Sequence, residues 1–544
     1  MKIKFLALAM IAMLFTACKP DPQPDGGDGS GTNNGDVESS YIAISLASSD
    51  SENRGDDSTK DYLIGEDYER VVKSAHVFFF TDGEPFVGVS SPRNYQTLPL
   101  AEETPTSDMP NISDIHESVL VIENYTGELP NQMVAVLNWT PVNDKYSLDQ
   151  LKGALVEHIN NLGGTDCFVM SNSVYKNDAG LVYATPLDIT NFYNKDVDAL
   201  ANPVKVYVER VAAKVIVKTN GDIDDDQPST EDAHIFKLQT SKTDDNPILI
   251  GGKEVYAKII GWDLYNDYAT SNLIKNIDNY TLGINWNDPN NFRSYWATCT
   301  GATMTDAVDY DGIATYHPYL YCGENTRGNT AADLRTQIVF KAQLQDVDGK
   351  EIEVAKWFGN DYIGKEQLLA AVKSTISNTY YSSTDGSKYT SIGVGDLMTV
   401  AGGDGDGGKI KAYQVYFQLS NVANQGVNKT WYKLVGGEFK SISVGDLNDE
   451  LKAYITPALL YAEGMTYYHT DIEHLKSLSA TTYGVVRNHI YDINIKSISG
   501  LGTPVADETI TITKPETPEE EASTYVAAEI NILSWRLITN DVDL

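Results

Sequence analysis

What most restricts the fold of this chain is a set of runs in which apolar and polar residues alternate, spread from one end to the other. Ile42, Ile44 and Leu46 alternate with Tyr41, Ala43 and Ser45 near the start, and PVKVYVERVAAKVIVKT does the same from Pro203 to Thr219. Arg487 to Ile495 carries a third such run, and in YVAAEINILSW the side chains of Val526, Ala528, Ile530 and Ile532 share one face. Successive side chains of a strand point to opposite faces, so each run offers one apolar face to a core. A composition of 33 Tyr against 14 Phe, with 42 Gly, is that of strands and turns. The chain therefore reads as mainly β.

At 544 residues, 42% of them hydrophobic, there is material for two large domains or three smaller ones. From Pro20 to Ser40 the sequence PDPQPDGGDGSGTNNGDVESS has almost nothing to bury and reads as a tether. Further strands are expected at Val71 to Phe80, Met133 to Leu137, Phe168 to Met170, Glu254 to Ile260, Gln337 to Gln343 and Ala412 to Leu419. Leu148, Leu151, Leu155, Ile159 and Leu162 fall on one helical face, with Ser147 and Gln150 as a capping box and Gly163-Gly164 as the stop. A second helix is expected around Leu368, Leu369, Val372 and Ile376. A domain boundary is expected near the Pro203 to Thr219 run, and PETPEEEAST reads as a linker to the final strand. Two sandwich domains in tandem suit these lengths.

A formal charge of −35 argues against nucleic acid as a partner, because no basic excess is there to neutralise phosphates. Lys2 and Lys4 precede an apolar run from Phe5 to Phe15 that matches a signal-peptide core and is too short to span a bilayer. That run ends in Phe15-Thr16-Ala17-Cys18, small residues before a cysteine, as in a bacterial lipobox. The mature chain is thus expected outside the cell, anchored if at all by lipid on Cys18. Of Cys167, Cys299 and Cys322, the last two could form one bridge, or all three could be buried thiols.

The sequence offers no positive sign of an enzyme. His469 and His474 do not form a His-Glu-x-x-His pattern, and no Gly-x-Ser-x-Gly elbow occurs. The loop from Gly402 to Gly408 begins like a calcium site but lacks its third acidic position and closing glutamate. Neither a catalytic residue, a metal ligand nor a cofactor is assigned.

The two ends of the chain belong together. Behind the Tyr41 to Leu46 strand come eight small, polar or charged residues, among which Arg54, just before Gly55, is the only basic one. A flexible exposed basic residue is a protease site, and cleavage there would release the strand ahead of it. A removable strand at one end and a linker-borne strand at the other are the parts needed for strand exchange between copies.

Several motifs also carry a family likeness. They are the lipobox at Cys18, the strand with Arg54, Phe168-Val169-Met170-Ser171-Asn172, Val208 to Val215 (VERVAAKV), Tyr321 to Thr326 (YCGENT), Tyr468 to Leu475 (YHTDIEHL), Gly484 to Tyr491 (GVVRNHIY) and the run from Val526 to Trp535. In this order the chain resembles a type V pilin of Bacteroidia, the fimbrillin superfamily, and within it the major shaft subunit of the short (minor) fimbria.

That resemblance implies two transthyretin-like β-sandwich domains in tandem, with a few short helices and a C-terminal donor-strand extension. Carried onto this sequence it implies a signal peptide over 1–17, a propeptide over 18–54, domains over 55–210 and 211–500, and a linker with donor strand over 501–544. It implies lipidation at Cys18, transport to the outer membrane, and cleavage between Arg54 and Gly55 by an arginine-specific surface protease. Tyr41, Ile42, Ile44 and Leu46 would leave with the propeptide. Val526, Ala528, Ile530 and Ile532 of another copy would take their place. The expected product is a surface fimbrium serving adhesion and biofilm. Its implied partners are copies of the chain itself, accessory and anchor subunits, and host or bacterial surface receptors. The alternatives are an accessory or tip adhesin of the same system, or a monomeric glycan-binding surface lipoprotein.

Overall fold

The computed structural model describes residues 38–48, 65–87, 92–98, 104–105, 114–124, 128–177, 180–219, 234–241, 244–277, 297, 304–313, 317–327, 331–403, 410–421, 429–474, 482–518, 530–534 and 536–543. Residues 39–544 form one compact unit. It is mainly β with a few short helices.

A first sheet is built from β1 (Glu38–Ser48), β2 (Ala75–Thr81), β3 (Asp114–Asn124), β4 (Gln132–Leu137), β5 (Met170–Asn172) and β6 (Val204–Arg210). Its order is β2-β4-β5-β6-β1-β3, so the first strand of the chain lies inside the sheet and not at its edge. β1 runs parallel to β6, with Ile44 opposite Val204 and Ser48 opposite Val208. The other principal pairs, β2 with β4 and β5 with both β4 and β6, are antiparallel. One face of the sheet buries Ile42, Ile44, Val77, Phe79, Met133 and Val206 in a common core. The opposite face of β2 and β4 packs Phe78, Phe80, Val134 and Val136 against Tyr146, Leu151, Leu273 and Ile274. Burial on both sides explains why AHVFFFT and QMVAVL are apolar almost without interruption.

The alternating run from Pro203 to Thr219 becomes two strands. Val211, fully buried, is the crossing point at which the chain leaves β6 and enters β7 (Ala212–Thr219) of a second sheet. That sheet continues with β8 (Ile235–Ser241), β9 (Tyr256–Tyr265), β10 (Tyr319–Gly323), β11 (Gln337–Gln345), β12 (Met465–Asp471) and β13 (His489–Ser499), in the order β10-β7-β13-β8-β9-β11-β12. β7 and β13 are parallel, Lys214 facing Ile490. At the end of the chain, β14 (Ile530–Ser534) turns back on β15 (Arg536–Asp543), and β15 lies parallel to β13 with Arg536 opposite His489.

Between β11 and β12 the chain builds a further layer with its own core. Strands Val354–Trp357, Gln414–Leu419 and Ala458–Tyr461 share one sheet, and Tyr380–Ser383, Thr430–Val435 and Glu438–Ile442 share another. Helices α1 (Gly364–Ile376) and α2 (Val444–Tyr454) pack their buried Leu368, Leu369, Val372, Ile376, Leu447 and Leu451 into it. The helix expected around Leu368 is thus α1, with all four named residues inside.

The first expected helix is cut short. Ser147 and Gln150 do form a reciprocal capping box, but the helix spans only Leu148–Gly153. Leu155 and Ile159 to Leu162 are strand residues, and Ile159–Leu162 pairs with Thr165–Phe168 across Gly163 and Gly164, both at positive φ. The glycines serve as a hairpin turn and not as a helix stop. Three apolar residues at three- and four-residue spacing fit either structure, and pairing between strands decides against the helix. The strand expected over Phe168 to Met170 is likewise interrupted at Val169, whose N–H donates to His158 O at 3.0 Å. Cys167 and Cys322 are buried free thiols.

Candidate functional site

The site that follows from the sequence argument is the slot in which β1 lies. Tyr41 opens it through reciprocal backbone hydrogen bonds with Tyr193, 2.7 and 2.8 Å long. Ile42, Ala43 and Ile44 are 0 to 1% exposed, and Leu46 stands opposite Val206 in register. The slot is walled by β6 and β3 and floored by the core that receives Ile42 and Ile44. A strand in this position is held by ladder hydrogen bonds on both edges and by two side chains whose burial contributes about 1.5–3 kcal/mol each. Its loss would leave two edges unpaired and an apolar trough open to water.

Behind the slot, the C-terminal end of β6 is anchored by buried charges. Arg210, fully buried, donates from Nε to Glu69 O at 2.9 Å and from Nη1 to Asn488 Oδ1 at 3.1 Å. Lys214 Nζ lies 2.8 Å from Glu69 Oε1, which also accepts the hydroxyl of Tyr321. Burial and the Glu69 carboxylate together push the Tyr321 hydroxyl far above the usual phenol range, which keeps it a donor. Next to these, Lys275 Nζ is 3.4 Å from Glu209 Oε2. Burial raises the Glu209 carboxyl even with the Lys275 and Arg487 charges opposing it.

Arg487 completes the set. Its Nη2 is 3.0 Å from Glu324 Oε2 and 2.6 Å from Asn272 O, while Nη1 donates to Leu273 O at 3.2 Å. Breaking one partner out of such a buried pair typically costs about 3–5 kcal/mol. These residues come from the short helix Asp67–Arg70, β6, β7, the segment after β9, β10 and its end, and the approach to β13. Motifs far apart in sequence therefore meet in one place: VERVAAKV, YCGENT and GVVRNHIY supply Glu209, Arg210, Lys214, Tyr321, Glu324, Arg487 and Asn488. Through Asn488 and Lys275 they tie the end of β6 to segments flanking strands of the second sheet, and none of these contacts involves β1.

Two titratable groups border the same junction. Burial, reinforced by the Arg487 charge, pushes His158 down to about 4. Burial also raises Asp267 to about 7, although its Oδ1 accepts the Gly323 N–H at 3.0 Å. Gly323 has to be glycine here, because a Cβ would stand 2.8 Å from His158 Nε2 and closer still to the Tyr268 carbonyl.

The other sequence-predicted residues fall into three groups. Cys18, Arg54, Gly55, Cys299, Val526 and Ala528 lie outside the described residues, as does most of the Gly402 to Gly408 loop. Ile530 and Ile532 belong to β14, where Ile532 pairs with Leu537 of β15 in the same chain. His474 is a buried core residue, its Nδ1 3.0 Å from the Tyr491 hydroxyl and its ring edge-on to His489. Among the described residues no group of three or more His, Cys, Asp or Glu is placed to hold a metal ion. Nor is any described helix long and apolar enough to cross a membrane. Sequence reasoning missed β15, whose RLITNDVD alternates only weakly, and did not foresee that the motifs converge on buried charge.

Residues 459–541 match the family model of the C-terminal region of fimbrillin, the major fimbrial subunit protein type IV. The matched stretch runs through β12, β13 and β14 into β15, so this part of the chain is similar to the C-terminal region of fimbrillin. No curated protein matches the chain. Among solved structures, a protein of Parabacteroides distasonis provisionally described as a cell adhesion protein aligns over 92% of this chain and 97% of its own. The identity is 12% and the TM-score 0.32, a likeness too loose to bear on the arrangement here.

Proposed function

We propose that this protein is a structural subunit of a bacterial surface fimbria, a non-enzymatic shaft component matured by proteolysis and polymerised by donor-strand exchange. The observation that carries the reading is the position of β1, an N-terminal strand hydrogen-bonded inside a sheet with Ile42 and Ile44 fully buried, followed shortly by Arg54. A strand that the sheet requires yet that is followed by an arginine in a small, polar stretch of sequence is a plug built to be removed.

In this scheme the precursor is a lipoprotein acylated at Cys18 and carried to the outer membrane. An arginine-specific surface protease cuts between Arg54 and Gly55, and Tyr41, Ile42, Ile44 and Leu46 leave with the propeptide over 18–54. The remaining N-terminal domain, 55–210, keeps the slot because the buried charges hold β6 to the C-terminal domain, 211–500. The donor is the C-terminal segment over 501–544 of a neighbouring copy, which lays Val526, Ala528, Ile530 and Ile532 into the trough. In its own chain β15 pairs in parallel with β13, the sense in which β1 pairs with β6, while β14, which carries Ile530 and Ile532, runs antiparallel to β15. A head-to-tail contact of this kind does not close on itself and yields filaments. Cleavage makes insertion effectively one-way and keeps copies apart before they reach the surface. Accessory and anchor subunits and surface receptors are further partners of such a fibre.

The test uses the chain from Lys19 onward, treated with an arginine-specific protease and followed by intact mass and by denaturing gels run without boiling. Loss of residues 19–54 accompanied by ladders that vanish when residues 525–544 are deleted is the expected result. A trimmed chain that stays monomeric overturns strand exchange.

A further inference from the structure

The layer inserted between β11 and β12 carries an open cleft of about 400 Å³, within the range of about 300–1,000 Å³ usual for small-ligand sites. One lip is a tight hairpin turn. Strands Val354–Trp357 and Asn360–Ile363 are joined by Phe358 and Gly359, at φ +50° and +70°. Two consecutive positive φ values suit Asn-Gly, not a bulky aromatic. Phe358 is moreover 64% exposed, so burial does not offset the strain. Its ring rests 4.7 Å from that of Trp357, which is itself buried and tied down by an Nε1–H bond of 2.9 Å to Thr456 O. Tyr454, the last residue of α2 and 78% exposed, lines the same cleft.

The cleft is also lined by polar groups that are already fixed. Lys433 Nζ sits 2.8 Å from both carboxylate oxygens of Glu450, and the Tyr380 hydroxyl donates to Glu450 Oε2 at 2.6 Å. Burial works to raise the Glu450 carboxyl, but the hydrogen bonds from Lys433 and Tyr380 outweigh it and hold it below its ordinary range. The pair has no net charge, so an anionic ligand meets a carboxylate as close as the ammonium. A purely apolar ligand would leave the polar groups desolvated without new partners. What matches both features is a molecule with one C–H face and a rim of hydroxyls, which stacks on aromatic rings while donating to a carboxylate and accepting from an ammonium.

We propose that this cleft binds a neutral saccharide, with Phe358 and Tyr454 as stacking faces and the Lys433–Glu450–Tyr380 group as the hydroxyl-reading floor. Strain at a largely exposed aromatic, which burial does not offset, is the mark of a residue placed for contact. The site is independent of strand exchange and is complete within one copy.

The experiment presents an immobilised array of neutral and sialylated oligosaccharides to the labelled, uncleaved chain from Lys19 onward, then titrates the strongest neutral binder. Retention on neutral sugars is expected, with at least a tenfold weaker Kd for Phe358→Asn and for Tyr454→Ala. Both variants should melt no lower than the parent, because neither side chain is buried, which separates lost binding from lost folding. A silent array, retention on acidic sugars alone, or equal binding by both variants overturns the assignment. So does displacement of the sugar-free chain's fluorescence by an aromatic peptide in place of any saccharide, which would make the cleft a peptide groove.

Discussion

The strongest demand that strand exchange places on this molecule is that the slot outlive the strand that fills it, and this can be measured. A chain beginning at Gly55 and lacking residues 525–544 has neither β1 nor its own C-terminal segment to occupy the trough. A labelled peptide of residues 38–48 should then bind it, restoring the parallel register of Ile44 on Val204 through Ser48 on Val208. Ile42 and Ile44 are both fully buried in the native arrangement. Truncating each to Ala removes three carbons, worth about 0.8 kcal/mol apiece, or about 2.4 kcal/mol per residue and about 5 kcal/mol for the pair. At about 1.4 kcal/mol per decade, the doubly substituted peptide should bind about 10³- to 10⁴-fold more weakly. The two residues share a face and contact a common core, so coupling between them will shift the sum within that range. Fluorescence anisotropy gives both constants directly. A double variant within tenfold of the parent would show that Ile42 and Ile44 do not anchor the strand, and a parent peptide that fails to bind would show that the slot collapses when emptied.

Three further expectations rest on the junction and the cleft. Arg487→Met strands the buried Glu324 carboxylate and two carbonyls, and should lower stability by about 3–5 kcal/mol in denaturant unfolding, while adding Glu324→Leu should recover much of the loss. His158 is held at about 4 in the fold and titrates near 6.5 when unfolded. Between those values the unfolded chain binds the extra proton, so His158 favours the fold more as pH rises; Asp267, raised to about 7, runs the other way, its contribution lost as pH climbs from about 4 to 7. The melting advantage of the parent over His158→Gln should therefore grow from pH 4 to 6.5 and level off above it, whereas Asp267→Asn should gain on the parent toward pH 7. Phe358→Asn relieves a left-handed backbone and should stabilise the inserted layer by about 1 kcal/mol, read as a higher melting temperature; a lower one would mean that the Phe358 ring contributes to folding after all.

How far the chain could be read in advance depends on the range of the forces involved. Alternation over Pro203 to Thr219 is enough to predict strands, since the pleat sends neighbouring side chains to opposite faces whatever surrounds them. The same holds for Ile42 and Ile44, for the Ser147–Gln150 capping box, and for α1 with its four buried residues, all local patterns. Local pattern failed at Leu155 to Leu162, where one spacing serves helix and strand alike and the hairpin partner Thr165–Phe168 made the choice.

The three-dimensional fold places β1 between β6 and β3 and not at an edge, because strand order is set by which faces bury together. It alone brought Glu69 to Arg210 and Lys214, and Glu324 to Arg487, in neighbouring buried groups, since a charge in the interior is tolerated only where distant segments supply its partner. It alone brought Phe358 and Tyr454 to the lining of one cleft, two residues that no periodicity relates. Alternation and composition are enough for the material, a mainly β chain with apolar strands at both ends and an arginine behind the first. Where each strand pairs, and what stands behind the slot, is a matter of long-range burial and of charges that must find each other.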